Sequence, residues 1–184
     1  MQKIIFTIAL IGFIAIRAKF HNPNASEKEV KQAREVFLAS QFSLSMMVCH
    51  FLWLFKSDWF PNYMPSFVQI IGGVFMLGSL PVLFWVHHSL GTYFSARLEL
   101  QEDHQIIQTG PYQWIRHPMY TVGFLYLIGA GLLTGNWIIL LIPTLSFALL
   151  VFSRVSDEEN MLVEHFGSDY QDYMQKTGRF LPFL

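Results

Sequence analysis

Cysteine is nearly missing from the chain: Cys49 is the only one in 184 residues. One thiol excludes a disulfide scaffold and a thiolate zinc site, which need several cysteines at set spacings. Charge is scarce too, at 14% of residues against ~25% in soluble globular chains. Neither sign dominates, since 12 Lys and Arg stand against 13 Asp and Glu for a net charge of −1. That balance leaves no electrostatic footprint for nucleic acid. Hydrophobic residues supply 53% of the chain and aromatics 16%, with a mean hydropathy of +0.37, too apolar for disorder. The length suits one domain over residues 1–184. These proportions are those of an integral membrane protein.

The few charges are placed so as to leave long neutral tracts. Val36 to Phe55 carries none and lies between Glu35 and Lys56. Trp59 to Ala96 carries none either; Pro61 and Pro65 interrupt its start, which predicts a span over Ser66 to Val86 with a kink at Pro81. His117 to Ser153 runs 37 residues without Asp, Glu, Lys or Arg. As one helix it would reach ~55 Å against a hydrocarbon core of ~30 Å, so it must fold back. The turn signal Gly135-Asn136 near its middle predicts a hairpin of two helices, Met119–Thr134 and Trp137–Ser153. Ile4 to Ile16, mostly apolar, has the shape of a signal-peptide core, but Arg17 and Lys19 stand where a small-residue cleavage site belongs. It reads as a retained helix whose basic residues snorkel. The expected fold is all-α, with about five transmembrane helices.

Five spans put the termini on opposite sides, and the positive-inside rule selects the orientation. With the N-terminus outside, ten of the twelve basic residues fall on the cytoplasmic side, leaving Lys3 and Lys56 outside. The cytoplasmic segment Ala25–Glu35 is charged and helix-prone, with Ser26 as a cap before Glu29. It reads as an interfacial helix without chemistry.

The remaining polar residues concentrate in two cytoplasmic stretches, Leu90–Tyr120 and Arg154–Leu184, which adjoin the two ends of the hairpin. The motif-bearing part is therefore about 90–184, and the expected cofactor pocket is formed by the third loop and the C-terminal helix. In the first stretch Gly110-Pro111 marks a turn, and Arg116-His117-Pro118 opens a helix with proline in its first turn. A helix N-terminus flanked by Arg116 and His117 suits an anionic group. The plainer reading has Arg116 anchoring on lipid phosphate and His117 capping the helix. In the second stretch Arg154 and Glu158 share a helix face, with Glu159 beside them. They form either a surface ion pair worth ~0.3–0.5 kcal/mol or a cation and an anion offered to a zwitterionic ligand. Glu164 to Tyr173 has aromatics and acids at helical spacing and reads as a packed amphipathic helix. His50 sits inside the second span, where a hydrogen-bonded packing role is expected, and no histidine cluster of the di-iron type is present.

The run His104-Gln105-Ile106-Ile107-Gln-Thr-Gly110-Pro-Tyr112-Gln-Trp-Ile-Arg116-His117-Pro118-Met119-Tyr120, followed by Arg154-x-x-x-Glu158-Glu159-x-x-Leu162-x-x-x-Phe166-Gly167-x-x-Tyr170-x-x-Tyr173, resembles the paired signature of the isoprenylcysteine carboxyl methyltransferase family. It is more distantly similar to the phospholipid N-methyltransferases. The ending Thr177-Gly-Arg-Phe-Leu-Pro182 is closer to the prenylcysteine branch. The resemblance implies S-adenosylmethionine as cofactor, contacted by His104, Gln105, Ile106, Ile107, Tyr112, His117, Pro118, Met119, Tyr120 and Glu158. It implies a lipophilic acceptor arriving from the bilayer, with neither metal nor nucleic acid. Arg154 would face that acceptor, and Arg116 and Glu159 complete the catalytic candidates. The acceptor expected from it is a lipid-borne carboxylate. The alternatives are an amine of the phosphatidylethanolamine type, for which Glu159 could act as base, an NADPH-dependent sterol-type reductase, or a non-catalytic membrane protein. No additional basic cluster for a 2′-phosphate accompanies the motifs.

Overall fold

A computed structural model describes residues 1–20, 33–55, 63–91 and 105–182. The described elements are α1 (Gln2–Lys19), α2 (Ala33–Phe55), α3 (Ser66–Leu90), a 3-10 turn (Gly110–Gln113), α4 (Pro118–Thr134), α5 (Trp137–Phe166) and α6 (Ser168–Lys176). Among the described residues, three helical stretches are long and apolar enough to cross a membrane, Phe37–Phe55, Ser66–Leu90 and Trp137–Phe166, and Pro118–Thr134 is a shorter apolar helix. Among the described residues the fold is all-helical, apart from one isolated parallel bridge between Ile115 and Gly178.

Several expected boundaries shift. Helix α3 passes through Pro81 and ends at Leu90 rather than Val86. Ala33 to Glu35, expected in a separate interfacial helix, form the first turn of α2, and the rest of that segment lies outside the described residues. Helix α5 does not stop at Ser153 but continues to Phe166. Its second part, rich in good helix formers, meets no breaker before Gly167, whose φ of 57° ends it. At ~1.5 Å per residue its 30 residues reach ~45 Å, so the polar last third extends beyond a ~30 Å core.

The hairpin of α4 and α5 turns where its residues require it. Gly135 takes a left-handed φ of 69° at the end of α4, and the Asn136 side chain accepts from the Ile138 N–H at 2.9 Å to cap α5. Helices α3 and α4 pack along a glycine seam. A Cβ on Gly72 would lie 2.3 Å from the Leu133 nitrogen, and one on Gly129 would lie 2.6 Å from the Met76 nitrogen. Only glycine lets the two backbones approach that closely, the small-residue packing that membrane helices use in place of a hydrophobic driving force.

Helix α1 packs on α3 and α4, and α2 packs on α5. At the end of the bundle away from the motifs α1 and α2 also meet. There the Phe6 ring lies 4.9 Å from Trp53 and 4.6 Å from His50, and Lys3 Nζ donates to the Leu54 carbonyl at 2.9 Å. His50 is buried in this contact and also bonds through Nδ1 to the Met46 carbonyl, the packing role expected of it.

Candidate active site

The two motif stretches meet as the hairpin requires, and the chain end locks them together. After α6, the Gly178 N–H donates to the Trp114 carbonyl at 3.0 Å, the Arg116 N–H to Gly178 at 2.9 Å, and the His117 N–H to Arg179 at 3.1 Å. One turn into α4, Thr121 Oγ1 donates to the Phe180 carbonyl at 2.7 Å. The residues just before α4 are thereby clamped against 177–180.

Beneath this clamp lies Glu159, 3% exposed. Arg116 Nε donates to its Oε1 at 2.9 Å, His117 Nε2 stands 3.2 Å from the same oxygen, and Arg179 donates to Oε2. Arg116 further donates from Nη1 to the carbonyls of Met174 (2.9 Å) and Thr177. Burial raises the Glu159 carboxyl, but the bonds from His117, Arg179 and Arg116 outweigh it and bring it down to about 2. His117 is bracketed, with Nδ1 3.4 Å from Glu158 Oε2. Burial lowers it, yet the bonds to Glu158 and Glu159 raise it above the usual imidazole range.

Glu158 turns the other way. Its Oε1 accepts from the Tyr120 hydroxyl and sits 3.3 Å from Arg154 Nη2, one helical turn back. Glu158, Arg154, Tyr120 and His117 all line a cavity of about 540 Å³. Its lining also takes in Gln105, Ile106, Ile107, Tyr112, Arg116, Pro118, Met119, Tyr170 and Tyr173. Tyr173 donates its hydroxyl to the Tyr112 carbonyl at 2.6 Å, which fixes the 3-10 turn on α6. Much of the remaining lining is apolar: Phe13, Phe42, Met46, Leu83, Tyr126, Leu127, Phe147 and Leu150. The cavity thus brings ionised side chains and a large apolar lining onto one space.

Every candidate site residue that is described lies on this cavity except Glu159, which stands behind the wall and holds it together. His104 lies outside the described residues. His117 makes no side-chain cap on α4. Its carbonyl accepts from the N–H groups of Tyr120 (3.1 Å) and Thr121 (3.3 Å), so these two donors are already used within the helix.

A profile of the isoprenylcysteine carboxyl methyltransferase family matches residues 71–164, just over half of the chain. The chain belongs to this family. A protein-S-isoprenylcysteine O-methyltransferase of Saccharomyces cerevisiae is 34% identical over 99 residues, 53% of this chain. The chain spans only 41% of the length of that relative. A probable protein-S-isoprenylcysteine O-methyltransferase of Oryza sativa subsp. indica is 27% identical over 197 aligned positions, covering all of this chain and 97% of the rice protein. Among solved structures, the eukaryotic intramembrane Ras methyltransferase (isoprenylcysteine carboxyl methyltransferase) superposes with a TM-score of 0.65 at 22% identity, over 96% of this chain and 63% of that one. It shares the fold.

Within this family member, two site arginines were not singled out from the sequence. Arg179 bonds Glu159; its signal was the doublet Glu158-Glu159, in which only one acid had a partner at helical spacing. Arg17, read as a snorkelling residue, lines the cavity. The NADPH-reductase alternative is set aside by the family assignment.

Proposed function

We propose that this protein transfers a methyl group from S-adenosylmethionine to the carboxylate of a lipophilic acceptor, an isoprenylcysteine or a similar lipid acid. The observation that carries the reading is the shared cavity: Glu158, Arg154 and Arg116 line the same space as a large set of apolar side chains. When bound, the cofactor supplies a methyl group on a sulfonium centre. Its donor chemistry fits the residues present. Glu158, oriented by Tyr120 and His117, suits the amino-acid ammonium group. The adenine ring would fall to the 105–107 run and Tyr112, which line the same cavity.

Arg154 has the acceptor role, holding a carboxylate with two oxygens in one plane. The transfer needs no general base, because a carboxylate is already the nucleophile, and ester formation consumes its charge. Alignment and exclusion of water carry the catalysis. Glu159 and Arg116 act as positioning residues, since their side chains are spent on each other and on the tail. The chamber faces the cytoplasm and the N-terminus lies outside, as the ten-to-two split of basic residues supports.

Purified protein in vesicles is to be offered labelled S-adenosylmethionine and N-acetyl-S-farnesylcysteine. The expected product carries label that base releases as methanol, the mark of a methyl ester. Base-stable label on an amine, or no stabilisation by a cofactor concentration worth ~2.7 kcal/mol at 100 times its Kd, would overturn the reading.

A further inference from the structure

His117 stands between two acids that are held in different ways. Its Nε2 lies 3.2 Å from Glu159 Oε1, and its Nδ1 lies 3.4 Å from Glu158 Oε2. Glu159 is anchored from two further sides, by Arg116 on Oε1 and by Arg179 on Oε2. Glu158 lines the cavity, with Tyr120 and Arg154 on its Oε1. The ring is also fixed independently of both acids. It stacks on Tyr120 with centroids 5.7 Å apart, lies 6.1 Å from Phe180, and its backbone N–H is held by the Arg179 carbonyl. One ring nitrogen therefore faces a permanent partner, and the other faces an oxygen that a ligand can claim.

The surrounding charge decides that competition. Around the two carboxylates stand three guanidinium groups, Arg116, Arg154 and Arg179, and protonated His117 is a fourth cation. Arg17 of α1 lines the same cavity, while α6 and the 3-10 turn add the phenols Tyr170, Tyr173 and Tyr112. In the free protein the two acids hold His117 above the usual imidazole range despite its burial. An ammonium group on Glu158 withdraws one of these two supports and sets another cation beside the ring, and both effects favour the neutral imidazole.

We propose that His117 exchanges its Nδ1 proton for the ammonium group of S-adenosylmethionine, so that cofactor binding expels one proton from the site. This rests on the reading of Glu158 as the ammonium site. The N–H bond at Nδ1 breaks, its electron pair stays on the nitrogen, and the proton passes to the buffer; no covalent bond of the ligand changes. His117 remains in place as the neutral tautomer, with Nε2–H on Glu159 and the Nδ1 lone pair free to accept from the same ammonium group. The seat then has two acceptors, where an imidazolium would have offered a repelling donor. By linkage, affinity rises with pH by up to ~10-fold per unit and levels off above the value at which His117 titrates in the free protein.

The test is isothermal titration of the full chain in detergent, without acceptor, in two buffers of different ionisation enthalpy. The ligands are S-adenosylmethionine, S-adenosylhomocysteine and the deaminated form of the latter. The window runs from about pH 5.5 to 6.5, below the α-amino value of ~7.7–8.0, so that the ligand itself stays an ammonium. The first two ligands are expected to release up to about one proton each, with Kd falling up to ~10-fold across the window. His117→Gln keeps a donor for Glu159 but cannot titrate, so it should bind with a buffer-independent enthalpy and a flat Kd. The deaminated ligand should release no proton from the parent protein, a control that needs no variant. Equal enthalpies in both buffers, undiminished release by His117→Gln, or equal release with the deaminated ligand overturns the exchange. Failure of all three ligands to bind overturns the cofactor reading and the exchange together. Proton release without a methyl ester on the farnesyl acceptor overturns the functional reading and leaves the exchange standing.

Discussion

Arg116 and Glu159 meet at 2.9 Å across 43 residues of sequence, with side chains only 9% and 4% exposed. The pair joins the start of α4 to the polar end of α5, and the tail closes over it through Arg179. Glu159→Gln should leave the Arg116 guanidinium buried without its counter-charge, at a cost of ~3–5 kcal/mol. A clearly lowered unfolding temperature in detergent is expected, with protease cleavage appearing between Thr177 and Pro182. A variant as stable as the parent would contradict the clamp.

The neighbouring acid should behave differently. Glu158 faces the cavity, so Glu158→Gln is expected to weaken S-adenosylmethionine binding by ~10- to 150-fold, a charge-assisted contact of ~1.5–3 kcal/mol, with little loss of stability. Isothermal titration separates the two glutamates. Equal affinity losses in both variants would argue that neither contacts the ligand.

Stability should have a defined pH window. His117 is raised in the folded protein, so its contribution is complete below the ordinary value of ~6.5 and fades as pH climbs through the folded value. Glu159 is lowered to about 2 from 4.5, so its contribution is complete above 4.5 and fades as pH falls toward 2. The plateau lies between. In a thermal series from pH 6.5 to 9, His117→Gln is expected to lose part of the alkaline decline; parallel curves for parent and variant would refute the assignment.

Arg154 separates the acceptor classes. Arg154→Ala should keep cofactor binding and lose at least ~100-fold in methyl transfer, a positioning effect of several kcal/mol. Arg154→Lys should also be poor, because an ammonium group cannot hold both carboxylate oxygens in one plane. Were the acceptor an amine, removing the cation would leave turnover intact or raise it.

Orientation is tested by labelling. Ser57→Cys and Ser168→Cys are expected to react with an impermeant maleimide from opposite faces of the membrane. Reaction from the same face would break the five-span arrangement.

What the sequence could tell followed from local chemistry. The hairpin turn was legible because Gly135-Asn136 carries its own conformational requirement and its own cap. The cavity-facing pair Arg154 and Glu158 was legible because both sit on one helix, one turn apart. The partners of Glu159 were not, since Arg179 arrives from 20 residues on, brought back by Gly167 and the bridge at Gly178. The end of α5 was misjudged for a similar reason. Loss of apolar character at Ser153 marks where a span leaves hydrocarbon, not where a helix ends, and only Gly167 carries the stop. Arg17 looked like an interfacial anchor because periodicity says which residues share a helix face, not which faces of different helices line a common space.

The glycine seam sets an asymmetry in what the cavity will tolerate. Helices α3 and α4 touch backbone to backbone at Gly72 and Gly129, leaving no slack for either to shift. Their residues, from Leu83 and Leu90 to Met119 and Leu127, form one side of the cavity, while α1 and α2 form another with half-buried or exposed side chains. A guest pressed on the rigid side meets a preset shape and gives up little freedom beyond its own, whereas a chain lying on the loose side can be met by rearranged rotamers. The apolar lining thus has one fixed wall, with Leu83, Tyr126 and Leu127, and one adaptable wall, with Phe13, Phe42 and Met46, so acceptor chains should be sorted by their width against the fixed wall more than by their length.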